Sequence, residues 1–401
     1  MASCGEEKHQ QQHWIPVLKP FVAPNAIDLQ NQALQTLATR EGGVTNQMFE
    51  SQLRDFLDCS STLTLTSLTT GFGLAVSLCG PADKETKWPG FDPRRDKVLV
   101  SSLAPFVTHG SVKQVCRRVR KVDVDLRTFN VSLRDLENKL DGRTKVLVLT
   151  LWAGAPLDWA GLNRLLDQHR RIHGFRPKVI QDCSQAMGAM YQDRGVAALA
   201  DVSVFSLHNT HHLSAGSGCF LAFNNDEMFQ KALRHRENGY TRGWSTETPN
   251  DDFAQAGPDI HLSELSAALG LANLPHLPKQ LASRRENWSV LTEAFRNHPC
   301  LETQLVDPES VSACFVLSVR VLQGSVDRFR DHCHRHGVTT MSLPRSSSSS
   351  LLSSQDGPGD AFHVLSRELV SLPVGWWMTE KDVRHVIRVV CAHFRQDEKE
   401  K

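Results

Sequence analysis

The stretch Ala200–Phe220 reads ADVSVFSLHNTHHLSAGSGCF. Val202, Val204 and Leu207 form a short alternating apolar run, the pattern of a strand entering a core. It breaks into a polar loop holding His208, His211 and His212, then a Gly/Ser-rich turn and a second apolar run, CFLAF. A polar loop of small residues between two buried strands is a common place to display a reactive group.

Just upstream, Lys178–Ala189 reads KVIQDCSQAMGA, a second short strand that delivers Asp182 at its end, with Gln185 and Gly188 following. One strand therefore supplies a carboxylate and the next a loop of bases. Further upstream, KVLVS (97–101) and VDVD (122–125) read as strands flanking a helix, and TKVLVLTL (144–151) as another strand. A helix follows that one, with a basic end stopped at Gly174. Strand–helix–strand units with such connections imply a doubly wound, largely parallel sheet.

The N-terminal part carries two apolar helical stripes, one starting at Ile27, Leu29, Ala33 and Leu34, the other at Phe49, Leu53, Phe56 and Leu57. STLTLTSLTTGFGLAVSLCG (61–80) reads as strand, small-residue turn and helix start. Unpaired first-turn amides make such a turn an anion site, with Thr70 offering a hydroxyl and Gly71 backbone room. HLSELSAALGLANL (261–274) reads as a closely packed helix of small residues. FVLSVRV, VDRFRDHCHRHG and VTTMSL suggest a small C-terminal α+β unit, and Thr379 with Asp382 a helix start of capping-box type. The expected division is a disordered tail at 1–13, a large domain with a helical lead-in at 14–275, and a small domain at 276–401. The last contains a low-complexity loop at 346–359.

The 45 basic and 44 acidic residues nearly cancel, so composition gives no footprint of nucleic-acid binding. No apolar run approaches the roughly 20 residues of a membrane span. The start, MASCGEEKHQQQHW, lacks the apolar centre of a signal peptide. The ten cysteines form no C-x-x-C pair, which argues against a zinc or disulfide framework and gives no metal site. The reading is a cytoplasmic protein with neither a nucleic-acid nor a membrane partner.

These segments, in this order, resemble the DegT/StrS family of sugar aminotransferases, which are fold-type I pyridoxal-phosphate enzymes. The match runs through Asp182, Gln185 and Gly188, then Asp201, Phe205, Ser206, Leu213 and Gly216, and later through Ser263–Gly270. The resemblance implies a seven-stranded-type mixed, mostly parallel sheet with a small C-terminal domain, a homodimer and a nucleotide-sugar substrate. It implies that Asp182 keeps the cofactor's ring nitrogen protonated, Gln185 meets the ring hydroxyl, and Phe106 stacks on the ring. Ser206, Thr70 and Gly71 would take the phosphate, and Asn238 would reach the neighbouring subunit's cofactor.

One departure is decisive. The position of the cofactor-binding lysine holds His211, in N-T-H-H-L where an aminotransferase has P-T-K-N-L. A branch of the family, the sugar 3-dehydratases, also carries histidine there. Pyridoxal or pyridoxamine 5′-phosphate would then be held non-covalently, and His211 would act as base in removing the C3 hydroxyl of a 4-keto-6-deoxy sugar. Thr69 for glycine, Glu237 for asparagine, and Ser217 and Cys219 in the family's E-G-G point instead to a catalytically inactive partner subunit. A transaminase is the third reading and requires a lysine that this loop does not contain.

Overall fold

The computed structural model describes residues 13–37, 44–84, 87–239, 257–343 and 360–397. The tail expected at 1–13 and the loop expected at 346–359 lie outside these residues, apart from His13, whose Nε2 is 2.7 Å from Asp382 Oδ1.

The chain opens with helices α1 (Ala26–Leu37) and α2 (Val44–Leu57), strand β1 (Ser61–Leu65) and helix α3 (Leu68–Ser77). Alternating units follow: β2 (Lys97–Ser101), α4 (Phe106–Val115), β3 (Arg118–Val122), α5 (Leu133–Lys139), β4 (Thr144–Thr150), α6 (Trp159–His173) and β5 (Lys178–Asp182). Two-residue strands β6 (Met190–Tyr191) and β7 (Arg194–Gly195) precede β8 (Val202–Ser206), β9 (Cys219–Phe223) and α7 (Asp226–Arg236). Helices α8 (Glu264–Asn273) and α9 (Leu277–Phe295) lead to β10 (Leu301–Thr303), β11 (Ser310–Val311), β12 (Leu317–Val321) and α10 (Val326–Arg335). The described chain closes with β13 (Met341–Ser342), α11 (Asp360–Glu368), β14 (Leu369–Leu372) and α12 (Glu380–Asp397).

Seven strands form one sheet in the order β1-β9-β8-β5-β4-β2-β3. Only β9 runs against its neighbours, pairing antiparallel with β1 and β8, while β8, β5, β4, β2 and β3 are parallel. Strands β4, β8 and β9 are buried along their whole length. Helices on both faces require this, and it explains the continuous apolar runs of β4 and β9. In β4, Leu147 and Leu149 join the core on one face and Val146 and Val148 the core on the other. This is the α/β architecture read from the sequence.

The third strand differs from the expected position. The sequence pointed to VDVD (122–125), whereas β3 is Arg118–Val122. This is an edge strand, so basic residues can alternate with Val119 and Val122 without breaking a two-sided core.

A second, antiparallel sheet, β10-β12-β14-β13, packs against α10 and α12 through Phe329, Cys333, Val386 and Val390. Helix α9 joins the two cores, with Leu277 and Leu281 in the first and Leu291 and Phe295 in the second. The small residues of α8 are there for contact: a Cβ on Gly270 would lie 2.3 Å from the Phe49 ring of α2. The Thr379–Asp382 capping box forms, with Asp382 Oδ2 accepting from Thr379 N at 2.8 Å and Thr379 Oγ1 accepting from Asp382 N at 3.3 Å. No described helix is long and apolar enough to cross a membrane.

Strand direction places the carboxyl ends of β1, β2, β4, β5 and β8 along one edge of the large sheet. Chain order reverses at β2, with β3 on one side and β4 on the other. Ligands of open α/β sheets bind at such a reversal, outside the strands' carboxyl ends.

Candidate active site

Five loops meet at that edge, and the residues the resemblance assigns to the cofactor lie on them, Asn238 excepted. At the end of β5, Asp182 is 1% exposed. Its Oδ2 accepts from Thr108 Oγ1 at 2.9 Å and Thr150 Oγ1 at 3.4 Å. Its Oδ1 accepts from Ser184 N at 3.1 Å and Ser184 Oγ at 2.5 Å. All four donors are neutral, and among the described residues no cation pairs with this carboxylate. Burial pushes the carboxyl above its ordinary range, against the hydrogen bonds of Ser184, Thr108 and Thr150. A buried carboxylate without a counter-charge fits a ligand that brings a protonated nitrogen.

Gln185 uses Oε1 to accept from Ala153 N at 2.8 Å, which ties the turn after β4 to the turn after β5. The same turn is bound from the C-terminal half: Ala153 O accepts from Phe315 N and Gly154 O from Ala313 N, both at 3.0 Å. The segment before β12 is thereby fixed against the site.

The loop after β8 is built around Ser206. Ser206 Oγ accepts from His208 N at 3.2 Å and lies 3.3 Å from His211 Nδ1. The His211 ring stacks on Phe315, with centroids 5.3 Å apart and planes at 17°. Burial, then the charges of His208 and Arg284, push the His211 imidazole down to about 4. It is therefore neutral at physiological pH. His212 is buried, and its Nε2 donates to Ala313 O at 3.0 Å. Burial first and Arg284 second drive it well below its ordinary range. His208 is exposed, with Nδ1 3.1 Å from Thr210 Oγ1. The three histidines are thus distinct: one at the crevice, one structural, one at the surface.

The α3 end of the crevice is more closed. Ser67 caps the helix in a reciprocal box, its Oγ accepting from Thr70 N at 3.1 Å and its N donating to Thr70 Oγ1 at 3.2 Å. Thr70 Oγ1 also donates to Ser67 O at 2.7 Å. Gly71 N donates to Ser67 O at 3.0 Å, and a Cβ on Gly71 would lie 2.5 Å from Cys219 Sγ. Packing against β9 therefore demands the glycine that the sequence suggested was leaving room for a phosphate. The first-turn amides of Leu68 and Thr69 remain as the donors this helix end offers.

Phe106 is the first residue of α4 and is 54% exposed, so it is not a core side chain. Asn238 follows α7 in the left-handed region at φ +57°, its N donating to Pro258 O at 3.3 Å. The neighbouring Glu237 is neutralised: Arg236 Nη2 is 3.0 Å and His261 Nε2 2.9 Å from its carboxylate. Against the burial that would raise it, these two partners hold the Glu237 carboxyl below its ordinary range. The charge that Glu237 brings in place of an asparagine is thus paired inside the chain.

Sequence reasoning did not find Thr108, Thr150, Phe315 or Arg284. Thr108 lies two residues beyond Phe106 and could have been sought as a carboxylate partner. Phe315 and Arg284 come from beyond the large sheet, and no local pattern marks them.

Sheet order, the buried Asp182 and the loop after β8 define an α/β protein of the fold-type I pyridoxal-phosphate class. The chain belongs to the DegT/DnrJ/EryC1/StrS aminotransferase family, whose model matches residues 23–391. It is 24% identical over 227 residues to a GDP-4-keto-6-deoxy-D-mannose 3-dehydratase of Escherichia coli O55:H7, covering 54% of this chain and 57% of that protein. It is 26% identical over 247 residues to the protein of the same name from Yersinia pseudotuberculosis, covering 59% and 61%. The matched stretches thus span about three-fifths of these relatives. The crystal structure of AtS13 from Actinomadura melliaura superposes with a TM-score of 0.86 at 30% identity, covering 96% of this chain and all of that one.

Proposed function

We propose that this chain binds pyridoxal or pyridoxamine 5′-phosphate without a covalent link and removes the C3 hydroxyl of a nucleotide-linked 4-keto-6-deoxy sugar. Family membership supports the cofactor, and the two 3-dehydratase relatives support the substrate class and reaction. The observation that carries the reading is the His211 imidazole, set against Ser206 Oγ and stacked on Phe315, at the loop position where an aminotransferase has its lysine. When bound as pyridoxamine phosphate, the cofactor would supply an amine for the keto carbon and an electron sink for the charge left by proton removal.

Asp182 is suited to hold the ring nitrogen protonated, because a pyridinium provides the counter-charge its carboxylate lacks. Ser206, Thr70 and the Leu68 and Thr69 amides would face the phosphate, with Gly71 backing them, and Phe106 would cover the ring. Gln185, which orients the turn after β4, would meet the ring hydroxyl. His211 takes the proton at Nε2 when its Nδ1–H donates to Ser206 Oγ, which fixes the tautomer. In this reading the chain is a homodimer. The exposed apolar side chains of Ile27, Leu34 and Leu37 on α1, Val44 and Met48 on α2, and Leu265 on α8 support burial by a second copy. Asn238 would then face the second copy's site.

The test is turnover of a nucleotide-linked 4-keto-6-deoxy sugar with pyridoxamine phosphate, followed by mass spectrometry for a product one oxygen atom lighter, the two electrons coming from oxidation of the pyridoxamine to pyridoxal phosphate with release of ammonia. Wild-type protein forms the 3-deoxy product, and His211→Ala loses about 10²–10⁴-fold in rate while folding and dimerising normally. Unchanged turnover in His211→Ala removes the base assignment. A second reading, a non-catalytic partner subunit, is favoured by the closed α3 end, where Thr70 and Gly71 already bond within their own helix turn.

A further inference from the structure

Helix α9 carries a buried cation with no carboxylate to answer it. Arg284 is 2% exposed, and Nη1 donates to Phe315 O at 3.0 Å while Nε has no partner. Among the described residues no Asp or Glu lies within ion-pair distance of it. Its Cζ is 6.0 Å from the Phe315 ring centroid and 5.2 Å from that of Trp377. Buried guanidinium groups are ordinarily paired, because desolvation is costly, and two aromatic faces offset that only in part. An unpaired one beside an active site calls for a role.

Phe315 supplies the connection. Its ring stacks on His211 at 5.3 Å and leans on His212 at 5.2 Å and 51°. Its backbone is held by Arg284 on one side and by Ala153 of the β4 turn on the other. Three parts of the chain therefore meet at one ring: α9, the segment before β12, and the loop after β8.

We propose that Arg284 is a positioning residue for His211, holding Phe315 against the imidazole and disfavouring an imidazolium there. Its effect on turnover rests on the reading of His211 as base; its effect on His211 itself does not. The other groups facing His211 are Ser206 and His208 from β8 and its loop, and the adjacent His212. Neither Ser206 nor the neutral, buried His212 supplies charge, and His208 is exposed and screened by solvent. Arg284 is thus the permanent buried charge in the set. The low titration of His211 agrees with this placement, with burial the largest cause, the His208 charge next and Arg284 third.

The experiment is an NMR titration of isotopically labelled histidine in the full chain, with the His211 signal assigned by its loss in His211→Asn. A charge about 10 Å away at an effective dielectric of about 20 corresponds to about one pH unit. Arg284→Met is expected to raise the His211 midpoint by about that much. Arg285→Met moves it by clearly less, because Arg285, although adjacent on the same helix and bonded to Ser312 O and Gly188 O, is only half-buried and screened by solvent. Should Arg284→Met not fold, Arg284→Gln keeps a donor for the Phe315 carbonyl and carries the same expectation. In the enzyme assay the acid limb of kcat/KM moves by the same amount. An unmoved His211 midpoint in the Arg284 variant, or an equal shift in Arg285→Met, overturns the proposal. A shifted midpoint with full turnover in His211→Ala leaves Arg284's role standing and removes only the base assignment.

Discussion

Asp182 and the first turn of α3 stand at the same edge of the large sheet, yet they meet their hydrogen-bonding needs differently. Asp182 has four neutral donors around a buried charge and no cation. Ser67, Thr70 and Gly71 close a cap on themselves, with Cys219 packed behind. The first region is incomplete without a cationic ligand, while the second is stable without an anion. Binding energy in this crevice should therefore come mainly from the ring end, with the phosphate end contributing less than an open helix terminus would.

The largest effect that would break this contrast is at Asp182. Asp182→Asn is expected to lose cofactor retention and at least about 10²-fold in rate. The cofactor-free protein should gain a few degrees in Tm, because an uncompensated buried charge is gone. A lower Tm would mean the carboxylate is structurally satisfied, and the contrast would fail.

Next in size is Gly71→Ala. A Cβ 2.5 Å from Cys219 Sγ forces β9 or α3 to move, costing about 1–3 kcal/mol. Cys219→Ala should restore stability in the double variant, which denaturant melts of all four forms would measure. If the double variant folds well but no longer retains cofactor, Gly71 serves the phosphate after all.

A smaller effect is in pH. His211 and His212 are neutral when folded and titrate near 6.5 when unfolded, so the unfolded chain binds more protons between these limits. Their contribution is complete above about 6.5 and is lost as pH falls toward the His211 value of about 4. Urea midpoints measured across that range should fall with pH, and the fall should flatten in His211→Asn. The smallest change is Thr70→Ala, which removes one half of the capping box for about 0.5–1 kcal/mol and alters retention little.

Strands β4 and β9 were legible because burial on both faces gives them continuous apolar runs. Asp182 was legible because a strand end presents it. Gly71 was misleading, since a small residue at a helix start suits an anion and a close strand equally well. The strand at 118–122 was displaced because an edge position tolerates Arg118 and Arg120. Phe315 and Arg284 were invisible because the contacts that define them cross from α9 and the segment before β12 into the loop after β8. No periodicity or spacing encodes such a meeting.

The central claim, that a lysine-free site holds its cofactor by the ring end without a covalent link, is tested most directly by retention. Purified protein is incubated with pyridoxamine phosphate and, separately, with pyridoxal phosphate, desalted, and its visible spectrum recorded before and after borohydride. The account predicts retained cofactor that denaturation releases even after borohydride. Loss of both forms on desalting, or a borohydride-fixed adduct on the chain, would contradict it.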